Sequence, residues 1–505
     1  MLASEAVPLA KTGGLADVVG ALSRELVCLG HNVRLVLPRY KDVGSLVKDL
    51  AEVRTLTIPA TPVPIEITIN TGTVNNVPVI LLGYDPFFGR PGLYGELGRD
   101  YPDNLARFAL FSRAALEACR ALNWKPDVLH AHDWQAALAV VYLKTLYQND
   151  KWWESCRALL TIHNLGYQGI FPATEFSVTG LPWSEYTTER LEFFGQVNLL
   201  KGGVVDADML NTVSPTYARE IQTPELGYGL AGVLQIRKER LSGITNGIDY
   251  EQWNPATDAY LPARYSAKDP AGKRTCKTSL QREIKLPLRK VPLIGVVTRL
   301  VPQKGIDLIL DILPDLLDLD IQMVLLGSGD PVSEKALTVL QERFQKKFVA
   351  RLGFDEGLAH RIEAGADLFL MPSRYEPCGL NQLYSLTYGT VPIVRKTGGL
   401  ADTVAPYRPG DKKGKGTGFV FESPHAEVLY STILLALQVF SDQDEWQRLM
   451  RRGMRQDFSW RHSAREYVEL YEKTVALNQP ATGIPPDYFP RSRFRDVGPP
   501  RLAST

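Results

Sequence analysis

Short apolar runs alternate with amphipathic stretches along most of this chain. The clearest case is Leu368-Phe369-Leu370-Met371, four apolar residues that stop at Pro372 and read as a buried strand. A turn then carries Glu376, Cys378 and Gly379 into a stretch whose apolar positions, Leu380, Leu383, Tyr384 and Leu386, share one helical face. Gly389 is suited to end that helix in the left-handed conformation. Val391-Pro392-Ile393-Val394 reads as the next strand, and Lys396-Thr397-Gly398-Gly399 as the loop leaving it. This is a βαβ unit with its polar groups at strand ends, where open parallel sheets bind ligands.

The same rhythm recurs upstream. Strands are expected at 33–38, 65–69, 77–82, 128–133, 159–164, 292–298, 321–326 and 348–352, and a long helix over 102–122. Residues 42–82 otherwise look irregular, and 85–101, rich in Gly, Pro and aromatics, reads as a loop. The pattern changes over 251–290, which is polar, charged and broken by prolines, as an interlobe connection would be. The expected organisation is therefore α/β: a first doubly wound domain over 1–250, the connection, and a second over 291–458. Helix 459–477 follows, with Tyr467, Leu470 and Tyr471 on one face. Beyond 479 nothing is periodic and a tail is expected. The basic, glycine-rich segment 408–416 reads as a solvated loop.

A chain of 505 residues is too long for one ordinary core, which agrees with two domains. The formal net charge of +1 argues against a nucleic-acid binder. The longest apolar stretch, near 429–440, is interrupted by polar residues and too short to span a bilayer, so no membrane partner is expected. Five scattered cysteines suit a reducing compartment. Met1 to Ser4 reads as the tail of a first strand whose earlier residues are missing.

Candidate chemistry collects at the strand ends. Arg299 and Lys304 are two cations well placed for a diphosphate, Arg by a bidentate grip and Lys as a compact charge. The amides around Cys378, Gly379 and Leu380 open a helix, where unpaired N–H groups and the dipole favour an anion. Glu376 reads equally as a structural carboxylate at that helix start or as a group that orients a sugar hydroxyl. Gly327 belongs to a Gly-rich turn, a weak signal alone. Asp133 follows His130-Ala131-His132; the two histidines suggest strand-end positioning rather than a metal pair. His163 precedes Asn164 and a Gly-rich loop. Asn246 is as good an Asn-Gly turn residue as a ligand contact. Finally, Lys11-Thr12-Gly13-Gly14-Leu15-Ala16-Asp17 is repeated, residue for residue, at Lys396 to Asp402. Gly13 and Gly14 let backbone approach a ligand, and Lys11 can reach a phosphate or an acceptor.

Taken with His130 to Trp134, Thr161 to Gly169, Val213 to Ala218, Ile244 to Asp249 and Arg299 to Gly305, in this order, the chain resembles the bacterial glycogen synthases and plant starch synthases. These are retaining glucosyltransferases of the GT-B fold. The resemblance covers nearly the whole chain.

It implies two Rossmann-like domains facing a deep cleft, closing on substrate, with the last helix returning to the first domain. It implies ADP-glucose as donor and an α-1,4-glucan as acceptor, with no separate cofactor and no metal. Arg299, Lys304, Glu376, His163 and Asp133 would carry the transfer. Lys11, Gly13, Gly14, Asn164, Asn246, Gly327, Phe354, Cys378, Gly379, Leu380, Thr397 and Gly398 would hold the ligands, Phe354 under the base where many relatives carry Tyr. Tyr94 lies in the family's sugar-site region. Alkylating Cys378 should block the donor pocket. The resemblance implies cytoplasm for a bacterial enzyme, or plastid stroma for a mature plant one. A nucleotide-sugar epimerase would lack the acceptor-side motifs at Tyr217 and Tyr228. A non-catalytic relative would have lost Arg299, Lys304 or Glu376. A phosphorylase would need a pyridoxal lysine motif.

Overall fold

The computed structural model describes residues 1–96, 98–410 and 414–477. They form two compact units: one of 1–213, 218–244 and the chain from Trp460, the other of 214–217 and 245–459.

The second unit is built on six parallel strands. In spatial order they are Phe348–Leu352, Gln322–Gly327, Leu293–Val297, Leu368–Met371, Val391–Arg395 and Phe419–Phe421. Numbered along the chain this is 3-2-1-4-5-6, the doubly wound order, and the direction of winding reverses between Leu293–Val297 and Leu368–Met371. The strands read as continuous apolar runs because helices cover both faces. Ile294, Met323, Leu325 and Leu368 pack to one side, and Leu293, Val324, Leu326 and Phe369 to the other.

The first unit repeats the plan. Met1 to Ala3 lie between two strands: Leu2 bridges Ala131 on one side and Val36 on the other. Leu2 N–H donates to His130 O at 2.8 Å, and Ala3 N–H to Val36 O at 3.2 Å. This short central piece joins Leu241–Gly243, Met209–Thr212, Arg157–Ile162 and Val128–His132 to Leu35–Pro38, Val77–Gly83, Ile65–Val74 and Lys48–Ile58. Winding again reverses at the centre, between Met1–Ala3 and Val128–His132. Helix Trp460–Val475 closes the unit, with Trp460, Tyr467 and Leu470 buried against Val18, Leu22 and Leu159.

The structure departs from the sequence reading in several places. Lys48–Ile58 is an eleven-residue strand in what looked irregular. It is exposed along most of its length, so it carries no apolar period, and its pairing with Ile65–Val74 holds it. Strand Leu35–Pro38 starts two residues later than the apolar run suggested. Residues 251–290 belong to the second unit. Within them helix Ala271–Glu283 buries Cys276 and Leu280, and Ile284 and Leu286 join the same core. Charged residues masked this, because only one narrow face is apolar. The expected tail after 479 lies outside the described residues, as does part of the basic loop 408–416.

One contact anchors the 251–290 segment. The Trp253 ring lies between His360 and Tyr384, each stacked at 3.7 Å. His360 Nδ1 and Tyr388 OH both bond Asp258 Oδ2, at 2.8 and 2.6 Å. Trp253→Ala is expected to cost about 3 kcal/mol through lost burial and stacking. The check is the denaturant midpoint of the purified protein, which should fall with the slope unchanged.

Candidate functional site

In the second unit the candidate groups surround the point where winding reverses. After strand Leu293–Val297 the chain runs through Arg299 to a short turn, Pro302–Lys304; after Leu368–Met371 it runs through Ser373 to Glu376. The two loops are tied backbone to backbone, Arg374 N–H donating to Gln303 O at 2.8 Å. Lys304 Nζ donates to Glu376 Oε2 at 2.6 Å, and Ser373 Oγ donates to the same oxygen at 2.9 Å. Glu376 is buried and Lys304 largely so. Glu376 thus sits beside a lysine and a hydroxyl at a cavity wall.

A cavity of about 270 Å³ opens here, lined among others by Arg299, Lys304, Gly327, Phe354, Glu376 and Gly379. The guanidinium of Arg299 is exposed and makes no ion pair among the described residues. Leu380 and Asn381, at the start of helix Asn381–Tyr388, also line the cavity, so unpaired first-turn amides face it. Phe354 is 86% exposed at the rim, an aromatic face free to stack.

Asn246, Cys378, Thr397 and Gly398 do not line this cavity. Cys378 is buried; its sulfur is bonded by the Asn246 backbone, and burial pushes the thiol up to about 12. The alkylation expected from the sequence gives way to an enclosed thiol that stays protonated at neutral pH. Asn246 is buried as well, and its Oδ1 has no hydrogen-bond partner.

Two glycines owe their identity to the protein's own backbone rather than to a ligand. A Cβ on Gly327 would lie 1.9 Å from Thr298 O, and one on Gly398 would lie 1.8 Å from Glu376 O. The strand-end loops meet so closely that no side chain fits between them.

The first unit assembles its groups by the same rule. Asp133 follows strand Val128–His132 with φ +55° and opens helix Asp133–Lys144. Its carboxylate accepts from the His163 backbone N–H at 2.7 Å. Burial pushes that carboxyl up to about 7, against the His163 and Asn164 amides that hold it down. Asn164 Oδ1 accepts from Gly166 N–H at 3.0 Å and fixes the turn. His132 Nδ1 and His163 Nε2 are 3.0 Å apart. His130 is tied to Tyr471 OH at 2.8 Å and Thr161 Oγ1 at 2.7 Å. Burial holds all three imidazoles below their usual range, His163 at about 3, so all are neutral at pH 7.

Glu5 was not singled out from the sequence. It is buried and accepts from Thr12 N–H and Gly13 N–H, from Thr12 Oγ1 at 2.7 Å, and from Tyr94 OH at 2.5 Å. Its signal was available: an acid within two residues of a strand end, as with Asp133. Glu5 shapes the first copy of the duplicated heptapeptide, where Lys11 pairs with Asp17 at 2.7 Å. In the second copy Lys396 pairs with Glu422, and Asp402 accepts from Thr216. Among the described residues no group of three or more His, Cys, Asp or Glu is arranged to hold a metal ion, and no helix is long and apolar enough to cross a membrane.

The family model for the starch synthase catalytic domain matches residues 1–236, and that for glycosyl transferases group 1 matches 278–451. The glycogen synthase of Koribacter versatilis (strain Ellin345) is 47% identical over 479 residues, 95% of this chain and 98% of the relative. That of Anaeromyxobacter dehalogenans (strain 2CP-C) is 49% identical over 477 residues, covering 94% and 99%. Among solved structures, the catalytic domain of starch synthase IV from Arabidopsis thaliana, bound to ADP and acarbose, is similar with a TM-score of 0.87 and 37% identity, over 94% of this chain and 99% of that one. A sucrose-phosphate synthase from Thermosynechococcus elongatus shares the fold, with a TM-score of 0.58 at 16% identity, over 94% of this chain and 97% of that one. The fold is GT-B, as the resemblance implied.

The two heptapeptide copies yield a paired prediction. Gly398 has φ +43° and no room for a Cβ, so Gly398→Ala should cost about 3 kcal/mol or more. Gly13 is extended, with nothing within 4 Å of a Cβ, so Gly13→Ala should change stability by less than about 1 kcal/mol. Thermal melts of the two variants side by side check this.

Proposed function

The chain belongs to the glycogen synthase family, and on that premise we propose that it transfers glucose from ADP-glucose to the non-reducing end of an α-1,4-glucan, retaining the anomeric configuration. The observation that carries this reading is the pairing of Lys304 with Glu376 beside the unpaired guanidinium of Arg299, at the winding reversal of the second sheet.

The second unit takes the donor. Arg299 and Lys304 face its diphosphate, and the N–H groups of Gly379 and Leu380 add partial positive charge from the helix start. Phe354 stacks on the base and Gly327 lies against the nucleotide. As the C1–O bond breaks, its electron pair passes to the β-phosphate oxygen, and the fixed cations stabilise that charge. The acceptor 4-hydroxyl oxygen bonds to C1 from the same face, and its proton goes to the departing phosphate. Glu376 is a poor nucleophile in this setting, since one oxygen already accepts from both Lys304 and Ser373. It serves to hold Lys304 and to steady positive charge on the sugar. Asn246, Cys378, Thr397 and Gly398 shape the loops behind it.

Within the first unit, His163 and Asn164 are the groups suited to a sugar, and Asp133, Lys11, Gly13 and Gly14 those suited to the acceptor. A carboxyl with its pKa near 7, such as Asp133, can accept or donate a hydrogen bond at a hydroxyl. No cofactor beyond the donor is needed, and the bacterial relatives support a cytoplasmic setting.

Glucose transfer from ADP-glucose and UDP-glucose, measured in parallel on glycogen and maltooligosaccharides, tests the reading. Elongation with ADP-glucose supports it, elongation only with UDP-glucose overturns the donor, and no transfer by folded protein overturns the function. Lys304→Ala should lower kcat by ~100-fold or more, with a smaller change in donor KM, because the lysine acts on charge that develops in the transition state. Unchanged kcat with raised KM would reduce it to a binding residue.

A further inference from the structure

The histidine pair in the first unit carries information beyond its position. His132 is fully buried, with its Nδ1 3.0 Å from His163 Nε2 and its own Nε2 without a hydrogen-bond partner. His163 Nδ1 makes no hydrogen bond among the described residues, yet it is not one of the enclosed unpaired atoms, so this ring edge reaches solvent.

A neutral imidazole has one N–H donor and one bare acceptor nitrogen. One proton therefore lies between the two rings, and it belongs to one of them. If His163 Nε2 holds it, His132 must carry its own proton on Nε2, a buried N–H with no acceptor. If His132 Nδ1 holds it, the unpartnered atom is a bare nitrogen lone pair. Buried donors without partners are the rarer and costlier of the two. We propose that His132 donates from Nδ1 to His163 Nε2 and thereby fixes the His163 proton on Nδ1, turning the solvent-facing edge of that ring into a permanent hydrogen-bond donor.

His132 is thus a positioning residue. It touches no substrate; it decides that His163 offers an N–H, the partner for a sugar hydroxyl oxygen acting as acceptor, rather than a lone pair. The His130 ring, 4.0 Å from that of His132 and tilted 36° to it, has both nitrogens spent on Tyr471 and Thr161. The consequence for catalysis rests on the reading of His163 as a sugar contact.

The test is a long-range proton–nitrogen correlation spectrum of the full chain labelled with ¹⁵N-histidine, with His163 assigned by its loss in His163→Asn. The expected spectrum shows a pyrrole-like Nδ1 and a pyridine-like Nε2 for His163. A proton on His163 Nε2, or an averaged mixture, overturns the proposal. His132→Phe removes the donor at similar size, so the His163 pattern should collapse to a mixture and kcat fall by ~10-fold. His132→Asn keeps an N–H near the Nδ1 position and should hold both the pattern and, within ~3-fold, the rate. Equal losses in the two variants with the His163 pattern unchanged would also overturn it. The expected spectra with undiminished transfer in His132→Phe would leave the proton placement standing and overturn instead the role of His163 at the sugar.

Discussion

The second unit depends on backbone packed against backbone at the ends of its central strands. Thr298 O fills the space where a Gly327 side chain would be, and Glu376 O does the same for Gly398. The strands of a parallel sheet all end on the same edge, so the loops leaving neighbouring strands share very little room. The loop bearing Lys304 and the loop bearing Glu376 meet in the same way, Pro372 O filling the space of a Gly305 side chain and Arg374 N–H donating to Gln303 O, and a cation and a carboxylate lie 2.6 Å from each other. That pair is largely shielded from water, so its strength owes more to this confinement than a surface ion pair's would.

The first unit solves a related problem with side chains. Asp133 and Glu5 each emerge beside the central strand, and each is spent on backbone amides: those of His163 and Asn164 for one, of Thr12 and Gly13 for the other. A buried carboxylate needs such donors to remain in place. The two acids therefore shape the loops that carry the histidine pair and the first heptapeptide.

Much of this was legible in the sequence. Buried parallel strands announce themselves as unbroken apolar runs, so 292–298, 368–371 and 391–394 were plain, and Arg299 and Glu376 follow two of them. Lys48–Ile58 was invisible because an exposed strand held by its neighbour's hydrogen bonds needs no apolar side chains. Helix Ala271–Glu283 was missed because its buried positions are few among lysines and arginines. The two heptapeptide copies are identical in residues but not in surroundings: Gly13 stands in open space while Gly398 is walled in by Glu376. Local sequence specifies a conformation, whereas what surrounds it comes from elsewhere in the chain.

Helix Trp460–Val475 has a consequence for how the protein is made. Its residues Trp460, Tyr467 and Leu470 complete the core of the first unit, whose other parts were synthesised more than two hundred residues earlier. The bulk of the second unit, by contrast, is one uninterrupted stretch, 245–459. On the ribosome the usual N-to-C order is therefore inverted: the unit begun first is the last whose core can close. Until then the nascent chain carries a half-finished apolar surface around Val18, Leu22 and Leu159, a surface for chaperones to shield.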